Sequence, residues 1–220
     1  MAMRAFPLAA AVALAVPLLA AAPADACSVT PDYRVPTSLE LAANADMILL
    51  GIAEGEANTE GEAFDREVIV RPTALLKGEA RPAEVRIRGY LSDDPRLVAA
   101  SNPRDLFNPN PGALIGGCTR YIFRRGMLLL LFLERDDGGQ LRLANSPFAR
   151  SAEDVPSPDA PWVKAVRLYA EIAALPERER RAALAARRDA LRAMSGDADA
   201  ALVADDIDRQ IRRRRIPPYD

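Results

Sequence analysis

Two cysteines, Cys27 and Cys118, are the residues of this chain best suited to do chemistry. A cysteine can cross-link, bind a soft metal, act as a nucleophile or carry a lipid. Most partners for these reactions are missing. The chain holds no histidine, which excludes Ser-His-Asp and Cys-His catalysis and removes the commonest zinc ligand. It has no Cys-x-x-Cys pair and no Gly-rich phosphate loop leading into a helix. The acidic pairs Asp93-Asp94, Asp136-Asp137 and Asp205-Asp206 are isolated from other oxygen ligands. They are expected as turns or solvated helix faces, because calcium wants six to eight oxygens. The basic run Arg212 to Arg215 suits the negative end of a helix dipole and solvation, the alternative being contact with an anionic membrane or polymer. No enzyme is expected, and no cofactor. The competing reading is a carboxylate-based hydrolase, which a deep cleft with two facing carboxylates would reveal.

The position of Cys27 bears on its use. Residues 1–26 open with one positive charge at Arg4, continue through an uncharged Ala/Leu/Val-rich run and end in Ala24-Asp25-Ala26. This is the pattern of a cleaved signal peptide. The strongly apolar part, Leu8 to Ala22, is shorter than the ~20 residues of a spanning helix, and Pro17 falls within it. Cleavage leaves 194 of 220 residues, begins the mature chain at Cys27, and implies a periplasmic or extracellular protein with no transmembrane span. Two cysteines outside the cytosol most often form one disulfide. The bridge would close a loop of about 90 residues, worth roughly 4–5 kcal/mol in the chain-entropy model. The alternatives are two thiols, or a lipid on Cys27 anchoring the chain to an envelope; the charged Asp25 suits lipid attachment poorly.

These residues need a scaffold. Thr37-Ser38-Leu39-Glu40 fits a capping box at the start of a short helix. Five strands are expected before residue 150: Met47–Ala53, Arg66–Leu76, Glu84–Tyr90, Met127–Leu133 and Gln140–Asn145. The fourth, Met-Leu-Leu-Leu-Leu-Phe-Leu, has no polar alternation and is expected to be buried on both faces. Ser92 to Gly117 is aperiodic, with four prolines and three glycines, a length that marks a functional or poorly ordered loop. A linker is expected over 151–161. The tail 162–220 then reads as three amphipathic helices, with apolar stripes Trp162/Val166/Tyr169/Ile172, Ala183/Leu184/Leu191/Met194 and Val203/Ile207/Ile211. Residues 27–150 form the main domain.

Several short motifs fall in a telling order. The mature chain begins Cys27-Ser28-Val29-Thr30-Pro31, and Asn44-Ala45-Asp46 joins the first helix to the first strand. Leu76-Lys77-Gly78 ends the second strand, Cys118 precedes the most apolar strand, and Pro161-Trp162 follows the last one. Over Cys27 to Trp162 the chain resembles the N-terminal domain of the tissue inhibitors of metalloproteinases. The resemblance implies an α+β chain built on a five-stranded OB-like Greek-key β-barrel with an early short helix, here followed by a C-terminal helical segment. It also implies a Cys27–Cys118 disulfide and an inhibitory ridge of Cys27, Ser28 and Cys118. In that ridge the free amine and carbonyl of Cys27 chelate the zinc of a metalloprotease at its open coordination position, and Ser28 enters the protease's first pocket. An α-amino pKa of ≈ 7.7–8.0 leaves enough neutral amine for this. The departures are Val29 and Ala43 where further half-cystines are usual, Thr119 where a glycine is usual, and the helical tail.

The expected partner is therefore a protein, with a zinc metalloprotease as the sharpest case. The competing reading is a non-inhibitory structural or interaction protein of the envelope. OB barrels also bind oligonucleotides. The net charge of −2 and an aromatic content of 5% argue against nucleic acid, whose single strands want stacking rings in a basic groove.

Overall fold

The computed structural model describes residues 29–30, 32–60, 65–114, 119–144 and 146–212. The signal segment therefore lies outside the described residues. The fold is α+β, an antiparallel sheet with four helices. Helix α1 spans Ser38–Asn44. Its capping box forms as expected: the Glu40 amide donates to Thr37 Oγ1 and the Thr37 amide to Glu40 Oε2.

Strands β1 (Met47–Ala57), β2 (Glu67–Lys77) and β3 (Val85–Arg88) follow. A short parallel pair, β4 (Tyr90–Leu91) and β5 (Ile122–Phe123), brackets the long loop. Then come β6 (Leu128–Arg135), β7 (Leu141–Leu143) and β8 (Ala152–Asp154). The main sheet runs β3-β2-β1-β6-β7, with β8 also on β6. One edge of β6 pairs with β1 along Leu128–Leu133, and the other is divided between β8 at Leu129–Leu131 and β7 at Leu133–Arg135.

The five expected strands are β1, β2, β3, β6 and β7. β1 is four residues longer than expected. Its polar end, expected as loop, is held to β2 and its flank by the ion pairs Glu54–Arg71 and Glu56–Arg66. The sheet is not closed into a barrel. No ladder joins β3 to β7 among the described residues, although their Cα atoms come within 8 Å. With four and three residues these edge strands are short, and an Arg142–Glu67 ion pair crosses from β7 to β2 instead.

The expected linker 151–161 contains β8, with Ser151 and Glu153 buried. Polarity suggests a linker there, but the Glu153 carboxylate is matched in the interior by Ser101, Asn110 and Arg150.

β6 supplies two cores. Leu129, Leu131 and Leu133 face one, with Leu49, Val68, Val70, Ile87 and Phe123. Leu130 and Phe132 face the other, with Ile48, Leu50 and the helices. Helix α2 (Pro161–Ala173) starts with Pro161 in its first turn and buries Trp162, Val163, Val166 and Tyr169 against this second core. Helices α3 (Glu177–Arg192) and α4 (Ala198–Ile211) cover it. On α3 only Leu184 is fully buried, and Met194 just beyond it is exposed. Most of that stripe is therefore peripheral.

Gly51 marks the tightest point of the sheet. A Cβ there would lie 2.5 Å from Val70 Cγ1 and 3.0 Å from the Arg71 carbonyl. Gly51→Ala is expected to cost about 1–3 kcal/mol, as overpacking does. Leu131→Ala, deleting a side chain buried in the middle of β6, is expected to cost about 2–5 kcal/mol. Urea unfolding of the two variants measures both.

Candidate functional site

Cys27, Ser28 and Cys118 lie outside the described residues; their flanks are described. On the N-terminal side Val29 packs against the helix-side core, and the Tyr33 hydroxyl donates to the Pro147 carbonyl at 2.7 Å. On the other side Thr119 borders a groove shared with Leu143 and Ala144. The two flanks therefore lie close to Pro147 on one side and to Leu143 and Ala144 on the other. Within the following turn Phe148 is buried with φ +60°, a strained conformation for a bulky side chain.

Two motifs of the sequence meet in space. Lys77 Nζ donates to the carbonyls of Ala42, Ala43 and Ala45, so a cation closes the C-terminal end of α1. Burial lowers the Lys77 pKa, the Arg180 charge adds to this and Asp46 opposes it. Asp46 accepts the Arg135 amide at 2.7 Å, tying the start of β1 to the end of β6. Gly78 holds φ +120°, and a Cβ there would touch Met47 at 3.4 Å. Ala43 thus lends its carbonyl to Lys77.

The residue two places after Cys118 is Arg120, 3% exposed. Its guanidinium pairs with Asp154 Oδ1 at 2.6 Å, donates to the Ala99 carbonyl at 3.1 Å and lies over the Phe123 ring. Asp154 also accepts the Ser101 amide at 2.9 Å. Ser101 Oγ is 2.7 Å from both Glu153 Oε2 and Asp154 Oδ1. Glu153 further accepts the Asn110 amide at 2.8 Å and pairs with Arg150 at 3.2 Å. Arg150 covers the Trp162 ring at 4.1 Å and donates to the Asp105 carbonyl. The aperiodic loop is therefore ordered from within: β8 presents two carboxylates, and the loop wraps its amides around them. Burial pushes the Asp154 pKa up, but the Arg120 charge and the hydrogen bonds from Ser101 and Arg120 outweigh it, so the net shift is downward.

A second buried network corrects the reading of Asp205-Asp206 as a solvated pair. Asp205 is exposed, but Asp206 is buried. It accepts a short hydrogen bond from Tyr169 and pairs with Arg209 at 2.9 Å. Its neighbour Gln210 accepts the Leu39 amide at 3.0 Å, fastening α4 to α1. Burial raises the Asp206 pKa against the opposing Tyr169 and Arg209 contacts, and raises Tyr169 well above its ordinary value. Asp206 lies three residues after Val203 and beside Ile207, but the contacts with Tyr169 and Arg209 in the folded chain are what match it there.

Glu153 and Asp154 enclose Ser101 rather than face one another across an open cleft. Among the described residues no group of three or more acidic, cysteine or histidine side chains could hold a metal ion, and no helix is long and apolar enough to cross a membrane. No protein-family model matches the chain, and neither a curated protein nor a solved structure matches it.

Arg120→Met removes one partner of a buried pair and is expected to cost about 3–5 kcal/mol, with faster amide exchange across 99–110. The downward shift of Asp154 makes one contribution to stability depend on pH. Its contribution is present above the ordinary aspartate pKa of 3.8 and is lost as pH falls below it. Asp154→Asn is expected to remove that acid-labile part of stability, measured by urea midpoints across the acid range.

Proposed function

We propose that this chain is an exported OB-like binding protein that acts through its mature N-terminus. In this reading Cys27 is bridged to Cys118, and Cys27 and Ser28 form a zinc-directed edge as in the tissue inhibitors of metalloproteinases. The observation that carries the reading is the contact between Asn44-Ala45-Asp46 and Leu76-Lys77-Gly78. These motifs lie some thirty residues apart, yet Lys77 caps the helix before Asp46 and Gly78 packs on Met47. Strand order supports it too. Three consecutive strands and a fourth returning beside the first, β6-β1-β2-β3, is the Greek-key order, and β7 lies beyond β6 in this open sheet, where an OB-like arrangement would have its fifth strand.

Anchoring of both flanks suits the same function. A chelating N-terminus must be stiff, because ordering a loose segment on binding costs affinity. Tyr33 on one side and Arg120 on the other hold the chain leading to the edge. Where the animal inhibitors use three cross-links, packing of Val29 and the buried Arg120–Asp154 pair support the single bridge.

The test has two steps. The intact mass of the exported protein is expected to match Cys27–Asp220 and to rise by about two daltons on reduction. A mass carrying a diacylglyceryl group would instead make Cys27 an envelope anchor and end the chelation reading. The protein is then assayed against a panel of zinc metalloproteases, beside a variant with one alanine added before Cys27. Inhibition is expected to weaken roughly tenfold or more in the extended variant. Equal inhibition by both would exclude the N-terminus as the inhibitory group.

A further inference from the structure

Helix α3 differs from its neighbours in what holds it. Ten of its sixteen residues are exposed and only Leu184 is fully buried, against nine of thirteen buried in α2 and six of fourteen in α4. Ala183 and Leu191 pack against the helix-side core but stay half-buried. The apolar grip on α3 is therefore close to one side chain.

The other fastenings are charged. Arg187 pairs with Glu171 of α2 at 3.1 Å, and Arg188 with Asp208 of α4 at 3.1 Å. Arg192 reaches Asp208 at 2.5 Å and Asp205 at 3.5 Å, and Arg181 donates to the Ile211 carbonyl at 3.0 Å. In these pairs every cation lies on α3 and every carboxylate on α2 or α4. Arg181, Leu184, Arg188 and Leu191 recur at spacings of three and four, so the charged and apolar contacts share one face of the helix. Asp208 is the common point. Burial acts to raise its carboxyl pKa, and the hydrogen bonds from Arg188 and Arg192 outweigh burial and hold it below the ordinary range. Helix α4 is fastened without α3: Lys164 meets Asp199 in its first turn, Tyr169 meets Asp206 in its middle, and Gln210 accepts the Leu39 amide near its end.

We propose that α3 is an electrostatic strap: rising ionic strength releases it from α2 and α4 while the sheet and the other helices stay folded, uncovering the part of the helix-side core that Leu184 completes. Ion pairs near the surface are screened by salt, whereas apolar burial is not. Elements of one protein open at different free energies, and those with few buried apolar contacts open first. By that measure α3 opens before α2, whose Trp162, Val163, Val166 and Tyr169 are buried, and before α4 with its separate ties. The proposal concerns the helical tail alone and does not depend on the inhibitor reading.

Amide hydrogen exchange of the full exported protein, read by mass spectrometry, is compared at about 50 mM and about 500 mM sodium chloride. Peptides from 177–192 are expected to exchange roughly threefold or more faster at the higher salt, while those from α2 and α4 keep their rates. Asp208→Asn keeps the side-chain shape and removes the carboxylate that Arg188 and Arg192 share. At low salt it is expected to speed exchange in α3 by roughly threefold or more and to shrink the effect of salt. Glu171→Gln, which removes one pair at the exposed margin, is expected to change α3 less than Asp208→Asn does. The unaltered protein tests the proposal by salt alone, so the result does not hang on whether a variant folds, and the α2 peptides report any loss of the whole fold. Exchange in α3 that is indifferent to salt would overturn the proposal. So would exchange that rises together in α2, α3 and α4, which means global opening, or an Asp208→Asn protein whose α3 exchanges as in the unaltered chain.

Discussion

Strand β6 has no face to offer to water. Five of its eight residues are fully buried, and they alternate between two apolar clusters. A strand of this kind needs a layer on each side. The inner faces of β1, β2 and β3 with Phe123 supply one layer, and α1 and α2 supply the other. The helical tail is thus half of the enclosure that β6 requires. Phe132 meets Trp162 directly at a centroid distance of 6.4 Å. Each fully buried Leu of β6 contributes about 1.5–3 kcal/mol relative to exposure, so uncovering the helix side would forfeit a large share of a typical domain's margin.

Polar interactions decide how the irregular parts lie on that frame. β8 is only three residues long, and its backbone pairing alone could not hold a long loop. Its two carboxylates do so, by accepting loop amides and facing Arg120 and Arg150. Such a cluster is costly if any one member is lost, because the remaining charge is stranded in a poor solvent for it. It therefore specifies one loop conformation. The chain two residues after Cys118 is fixed by the same cluster, so the loop, the sheet and the approach to the candidate edge share one anchor.

The helices are joined by side-chain contacts to main-chain groups that their ends would otherwise leave unpaired. Lys77 closes α1, Arg180 closes α2, and Gln210 reaches the first turn of α1. The first and last of these contacts join elements distant in sequence.

The five main strands, the first helix with its cap and the three tail helices were legible in the residue pattern alone. Period-two and period-3.6 apolar patterns are local and survive any tertiary arrangement. The sequence also determined the chemistry in hand: two cysteines, no histidine, and motifs whose order suggested one family. What tertiary structure alone decided is where polar residues go. Glu153 and Asp154 in a Pro- and Asp-rich stretch look like linker, and Asp206 beside Asp205 looks solvated. Arg120 stands in no pattern at all. Each is buried or half-buried only because a partner far along the chain meets it there: Asn110 and Ser101, Tyr169, and Asp154. A charge enters a protein interior only with its counterpart in place, and that pairing is a property of the assembled fold rather than of any local run of residues.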